Sequence, residues 1–250
     1  MTATLRLAWA STRQLFRSRE VLFSMVVYPG FFLVLLVLFS RLQFETSQGA
    51  ASLMDLWLTG AALLVVARGN GHAFLALIAT YKSTGVLKRI AVMPVSPAQL
   101  IVAEVIPRAL MGMLTAGVFL AGGRALGADI RLGPALLAVV GLAAIIVVTG
   151  LSVSFVIAGL TKSPADANAL EGYVNFPLYL FTGAMWPVAA FPDWLQHVVG
   201  LIPYTGIIAA VRGVALDGQP LPAFGPELAI AAGWLALLFV AANRAYRFAQ

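Results

Sequence analysis

"YKSTGVLKRIAVMPVSPAQL", residues Tyr81 to Leu100, lies between two long apolar runs and carries Lys82, Lys88 and Arg89, two prolines and no acid. If this is a loop on a water-soluble domain, the chain should be rich in charge elsewhere. It is not. Of 250 residues 61% are hydrophobic and 10% charged, and the mean hydropathy is +0.93. Soluble domains carry about 25% charged residues, so this chain has too few to coat a water-facing surface. The composition is that of an all-α polytopic membrane protein, and the basic stretch is a connection between spans. The net charge of +6 arises mainly between apolar runs, which fits membrane topology and anionic lipid rather than nucleic acid. There is no cysteine, which excludes disulfides, thiolate metal sites and cysteine nucleophiles.

A helical span needs about 20 mostly apolar residues. Working outward from the quoted stretch, six candidates run at roughly 21–40, 53–79, 98–122, 134–160, 172–190 and 227–246. The first apolar run exceeds the usual 7–15 residues of a signal-peptide core, so it is read as a retained span. Ahead of it, at 5–19, Leu5, Ala8, Trp9, Thr12, Leu15 and Phe16 share one helical side, and Arg6, Arg13 and Arg17 fall on the other. This is the pattern of an amphipathic helix lying in the membrane interface; the plainer reading is a positive flank of the first span. Between the fifth and sixth spans, "FPDWLQHVVGLIPYTGIIAAVRGVALDGQPLPAFG" is half-apolar and broken by Pro192, Pro203, Pro220 and Pro222. Short re-entrant or interfacial helices fit there better than an uninterrupted span.

Six spans place both termini on one side, and positive residues choose the side. With the N-terminus inside, the cytoplasmic segments hold Arg6, Arg13, Arg17, Arg19, Lys82, Lys88, Arg89, Lys162, Arg244 and Arg247, against Arg41, Arg124, Arg131 and Arg212 outside. The expected topology is therefore N-in and C-in, with the opening stretch cytoplasmic. Trp186 and Trp194 then fall near the outer boundary, where indole rings are favoured. Gly85 to Met93 suits a short helix in which Val86, Leu87, Ile90 and Met93 form an apolar face, with Lys88 and Arg89 turned away. Pro94 and Pro97 end it. The pattern is compatible with a basic loop obeying topology and with a docking element for a cytoplasmic partner.

Polar groups at membrane depth are costly and face protein or water-filled space. Asn168, Glu171, Asn175, Tyr179 and Thr182 advance in steps of 3 and 4, one stripe down the fifth span. They could be interhelical glue or the lining of a pathway. The second span holds Arg68, Asn70 and His72, and Arg68 and His72 share a face at i, i+4. Their partner could be a substrate headgroup or a carboxylate such as Glu171; a purely structural pair joining two spans is the alternative. Glu104 and Arg108 have the spacing and order of an internal salt bridge, and Pro29 and Pro107 mark expected kinks.

Catalytic signatures are missing. A phosphate-cradling G-x-x-x-x-G-K-[ST] is approached only by Thr161-Lys162-Ser163, where the glycine is replaced by threonine. His72 and His197 are far apart, no H-E-x-x-H occurs, and Ser152 and Ser154 in "GLSVS" do not form a G-x-S-x-G elbow. Gly150 and Ser154 read instead as a small-xxx-small packing step. The chain is expected to bind no nucleotide or metal and to catalyse no hydrolysis.

Two segments carry a family resemblance. "STGVLKRIAVMPVSP" is similar to the connection between the second and third spans of type-2 ABC exporter permeases of the multidrug or lipid, daunorubicin-resistance-like kind. The matching positions are Gly85, Leu87, Lys88, Arg89, Ile90, Pro94, Val95 and Ser96. "SPADANALEGYVNFPLYLFTGAMWPVAAFPDWLQHVVGLIPYTGIIAAVRGVALDG" resembles the same family's region around the fifth span, through Pro177, Thr182-Gly183, Pro187, Pro192-Asp193-Trp194-Leu195, Pro203 and Arg212-Gly213. The family's usual glutamate ahead of Gly85 is absent, since Lys82, Ser83 and Thr84 stand there, and Thr182 replaces the usual serine.

The resemblance implies one transmembrane domain over 1–250 in the cytoplasmic membrane. It implies a cytoplasmic coupling helix whose Gly85, Leu87, Lys88, Arg89, Ile90, Met93 and Pro94 contact a separate ATPase subunit. It implies two such ATPases, carrying ATP and Mg, a second permease copy or paralogue, and no cofactor in this chain. Arg68, Asn70, His72, Asn168, Glu171, Asn175, Tyr179 and Thr182 would then flank the permease interface and the export route. Export of an amphipathic or hydrophobic drug, lipid or natural product is the expected function. The competing classes are an ion-coupled carrier using Glu104 or Glu171, a non-transporting scaffold or sensor, and a lipid-modifying enzyme, the last disfavoured because no nucleophile–base pair can be named.

Overall fold

The computed structural model describes residues 9, 11–13, 15, 17, 27, 30–38, 43–46, 49–85, 97–130, 133, 135–161 and 163–247. Backbone at 11–13 and 30–38 is helical, inside the expected interfacial helix and first span. The coupling positions Leu87, Lys88, Arg89, Ile90, Met93 and Pro94 lie outside the described residues.

The described fold is helical apart from one small departure. Gln43–Thr46 (β1) pairs antiparallel with Gly49–Ser52 (β2) in a two-stranded hairpin, in the register Gln43 with Ser52. The expectation of helix alone missed it, because this polar stretch lies between apolar runs and has no strand-like alternation.

Leu53–Thr59 (α1) begins directly after β2. Its N-cap is Ser52, whose Oγ accepts from the Asp55 amide at 3.1 Å and donates to Asp55 Oδ2 at 2.5 Å. The helix breaks at Gly60 and resumes as Ala61–Ser83 (α2), so the expected second span is two helices. Gly60 is needed at the break, because a Cβ there would meet Ala184 O at 2.7 Å and Arg212 Nη2 at 2.8 Å.

Pro97–Ala125 (α3) runs through Pro107, and Leu136–Leu160 (α4) follows. Pro164–Phe181 (α5) is capped by Ser163, which accepts from the Asp166 amide at 3.1 Å, with Pro164 in the first turn where its missing N–H costs nothing. This helix starts and ends earlier than the expected 172–190. The chain leaves it at Thr182-Gly183, with Gly183 in the left-handed region at φ +79°, a conformation glycine adopts freely.

Asp193–Gly200 (α6) and Pro203–Ala215 (α7) meet at 94°, and Gly225–Arg247 (α8) closes the chain. Among the described residues four helical stretches are long and apolar enough to cross a membrane: Met54–Ser83, Val102–Ala125, Leu136–Leu160 and Leu221–Ala242. The bent α6–α7 pair would make a fifth. α5 is not among them, because Asp166, Asn168, Glu171 and Asn175 dilute its apolar residues.

α4 is the central element, packed against α2, α3, α7 and α8. Lipid tails are as apolar as leucine, so helices in a bilayer are held by close packing rather than by escape from water. Gly71, Gly150 and Ser154 provide that closeness. A Cβ at Gly71 would lie 2.5 Å from Ser154 Oγ, and one at Gly150 would lie 3.1 Å from Ala67 O. Around this seam Phe74 stacks on Phe155 with centroids 5.6 Å apart, and Phe32 meets Phe119 edge-on at 5.6 Å.

Candidate functional site

The polar side chains singled out in the sequence are carried mainly by α2 and α5, which pack side by side. The Glu171 carboxylate is buried, with Oε2 2.6 Å from His72 Nδ1, while Glu171 Oε1 has no hydrogen-bond partner among the described residues. The His72 side chain is 51% exposed and that of Glu171 3%. One turn earlier on α2, the Arg68 guanidinium lies 5.8 Å from the centroid of the Tyr179 ring, a cation–π distance. The i, i+4 pair Arg68 and His72 therefore both reach α5, one through an aromatic face and the other through a carboxylate.

Asn70 stands apart. Its Nδ2 donates to Val66 O at 2.9 Å, within its own helix, and it lies beside Gly112 of α3. Two residues along a helix turn about 200°, so Asn70 cannot share the face of Arg68 and His72. On α5, Asn168 is exposed, Asn175 and Tyr179 are half-buried, and Thr182 is fully buried at the end of the helix.

Between Arg68, Ser154, Asn175, Tyr179 and Tyr204 lies a cavity of about 10 Å³, space for about one water. Nothing drug-sized fits within the single chain at this point. Outward the picture differs. Arg68, His72, Asn168, Tyr173 and Phe176 are all exposed, Tyr173 by 78% and Phe176 by 70%. A mixed polar and aromatic face of α2 and α5 is thus left open halfway along an apolar helix layer.

Two further clusters fasten this layer. Lys82, where the resembling family has its glutamate region, donates from Nζ to Ala158 O at 3.3 Å, Gly159 O at 3.1 Å and Thr161 O at 2.6 Å. A cation on the orphan carbonyls of a helix C-terminus is favoured by hydrogen bonding and by the helix dipole. It ties the end of α2, and Gly85 just beyond it, to the α4–α5 junction.

Arg212 does the same at the far end. Its Nη2 donates to Leu56 O at 3.0 Å and Ala184 O at 3.1 Å, and its Nε to Thr59 Oγ1 at 3.3 Å. Trp57 Nε1 adds a bond to Met185 O at 3.3 Å. The sequence counts Arg212 among the outer-side cations; the structure places it, half-buried, in α7.

Glu104 and Arg108 form the expected i, i+4 pair, Nη1 to Oε2 at 2.5 Å, and both are buried. Ser11 Oγ donates to Glu104 Oε1 at 3.0 Å, and Arg108 lies 5.1 Å from the Phe74 ring centroid. This ion pair joins the N-terminal segment to α3 and α2. Its position among three elements makes it a structural joint.

Residues 2–216 match a family model described as ABC-2 type transporter. The chain is also similar to the probable doxorubicin resistance ABC transporter permease protein DrrC of two Mycobacterium tuberculosis strains, CDC 1551 and H37Rv. In each case it is 27% identical over 202 residues, covering 78% of this chain and 70% of the relative.

Proposed function

The chain belongs to the ABC-2 type transporter family as a membrane permease, and on that premise we propose that it is the transmembrane subunit of an ATP-driven exporter of amphipathic or hydrophobic molecules. The observation that carries the reading is the open α2–α5 face, where Arg68 and His72 are exposed near the midpoint of an apolar helical stretch. A cation left facing lipid at that depth is costly, so this face has a cover or a water-filled space opposite it. A second permease copy or paralogue supplies both: pairing along α2 and α5 closes the face and leaves a route between the subunits, lined by Arg68, His72, Asn168, Glu171, Asn175 and Tyr179. The small cavity inside one chain favours a shared route over a private one.

In this reading the six spans comprise the one at 21–40 and those formed by α1–α2, α3, α4, α5 and α8. The interfacial helix occupies 5–19, and the α6–α7 corner is a re-entrant element at the outer side of the cytoplasmic membrane, both termini being inside. Two ATPase subunits bind beneath and hold ATP and Mg; this chain holds neither. The segment from Gly85 to Pro94 is the coupling helix, where Leu87, Ile90 and Met93 anchor in the partner and Lys88 and Arg89 meet its acids. Lys82 then passes the displacement into the α4–α5 junction. The similarity to DrrC favours a doxorubicin-like cargo, an apolar body with a polar or cationic edge.

Inverted membrane vesicles containing the chain and its co-purifying ATPase test this. ATP should drive doxorubicin uptake, and Leu87→Asp and Arg89→Glu should abolish it while the permease still assembles in the membrane. The buried Glu171 beside His72 favours a second reading, a proton-coupled carrier. Uptake that follows a pH gradient and ignores ATP would establish that reading instead.

A further inference from the structure

Four helices bring polar side chains to one small space. Arg68 of α2, Ser154 of α4, Asn175 and Tyr179 of α5 and Tyr204 of α7 border the cavity of about 10 Å³, which admits a single water-sized occupant. Ser154 is 3% exposed and Tyr204 4%. Among the described residues none of these side chains makes a hydrogen bond, and Arg68 has only its cation–π contact with Tyr179. The oxygens of Ser154 and Tyr204 are not sealed by packing either. The sealed, unpaired side-chain atoms belong to Arg108, Glu171, Thr182, Thr205 and Glu227, and none of these residues borders the cavity. Ser154 and Tyr204 therefore keep unpaired oxygens open onto the cavity inside otherwise buried residues. Buried polar groups are nearly always paired, so this convergence calls for an occupant.

The wall is rich in donors and carries one charge. A guanidinium only donates, and serine, tyrosine and asparagine each offer a donor. No carboxylate borders the cavity. Glu171 stands one turn before Asn175, but its Oε2 lies 2.6 Å from His72 Nδ1. A cation at membrane depth calls for a counter-charge, and a second copy of this chain brings none. The acids of α2–α5 are Glu104, Asp166 and Glu171; Glu104 is bound to Arg108, and Asp166 sits in the first turn of α5. Water fills the space but leaves Arg68 uncompensated. A monatomic anion accepts from all the donors at once and matches the charge of Arg68. The small volume excludes carboxylate, sulfate and phosphate.

We propose that the cavity at the junction of α2, α4, α5 and α7 is a halide site, with chloride as the counter-ion of Arg68 and with Ser154, Asn175, Tyr179 and Tyr204 as donors. The site goes beyond the export reading, because binding there needs neither cargo nor ATPase. It also fastens four helices at one point.

The test is the melting temperature of the purified full chain in detergent, at fixed ionic strength, as sodium gluconate is replaced by sodium chloride. A ligand that binds only the folded chain stabilises it in proportion to site occupancy. Chloride and bromide should raise the melting temperature along a single-site curve. Acetate and sulfate should show no such curve, only the gradual effect of salts excluded from the surface. Tyr204→Phe and Ser154→Ala each remove one donor and keep most of the shape. Each should raise the chloride concentration needed for half the effect about tenfold, the equivalent of one hydrogen bond to a charged group. Arg68→Gln should abolish the rise. Acetate acting as well as chloride, the absence of any chloride curve (a site holding water alone), or a full chloride response in Arg68→Gln would overturn the site. The anion series uses the wild-type chain alone, so it decides the matter even if a variant folds poorly.

Discussion

At the scale of single residues the structure turns on a few contacts with no slack. Gly71 is one. A methyl group there would sit 2.5 Å from Ser154 Oγ, whereas at Gly69, two residues away, a Cβ meets nothing within 4 Å. Gly71→Ala should therefore lower stability by about 1–3 kcal/mol, the usual cost of overpacking, and Gly69→Ala should be neutral or better. Adding Ser154→Ala should recover much of the loss, because the next obstacle is Gly150 O at 3.3 Å. Thermal unfolding of the purified chain measures all three. Much of this level was legible beforehand. The Gly150–Ser154 step, the Glu104–Arg108 pair and a carboxylate partner for His72 all follow from how few groups in an apolar helix can satisfy one another. Arg212 was not legible, because it bonds the backbone carbonyls of Leu56 and Ala184. Every residue has a carbonyl, so nothing in the side-chain pattern marks those two.

At the scale of elements the decisive feature is how α2 ends. Lys82 holds three carbonyls at the C-terminus of α4, so the two helices finish at one shared joint. Lys82→Met keeps the aliphatic stem and removes the donors. It should cost about 1 kcal/mol, a charged hydrogen-bond set discounted because Lys82 is only half-buried. Hydrogen exchange should accelerate across 157–167, the last turn of α4 and the first of α5, and Lys82→Arg should restore part of the protection. Helix positions were readable from apolar runs, since α3, α4 and α8 begin and end within a few residues of expectation. α5 was displaced because its register follows the Ser163 cap and the Thr182-Gly183 exit rather than the apolar content of 172–190. The Gly60 break was hidden for the opposite reason. Its cause is the approach of Ala184 and Arg212 from distant parts of the chain.

For the whole molecule the number and direction of membrane crossings are read out by single thiols. The protein contains no cysteine, so any introduced thiol is a unique reporter. Ser83→Cys should react with an impermeant maleimide only in inverted vesicles, and Asp193→Cys only in intact cells; the reverse pattern would refute the N-in arrangement. Tyr173→Cys should crosslink to a second copy if the exposed α5 face is where permeases meet. Membrane class and family were readable from composition and from the order of two motifs, because both are written along the chain. The packing of α7 against α4 and α8 was not, since a half-apolar segment with four prolines offers no periodicity to follow. The ties at either end of α2 bear on motion. Lys82 grips the chain just before α5 begins, and Arg212 bridges Leu56 to Ala184 just after it ends. Sliding one of these helices along the other would have to tear both knots together. They are therefore free to tilt as one slab and poorly placed to shear, so a gate built on them opens by rocking the whole leaf.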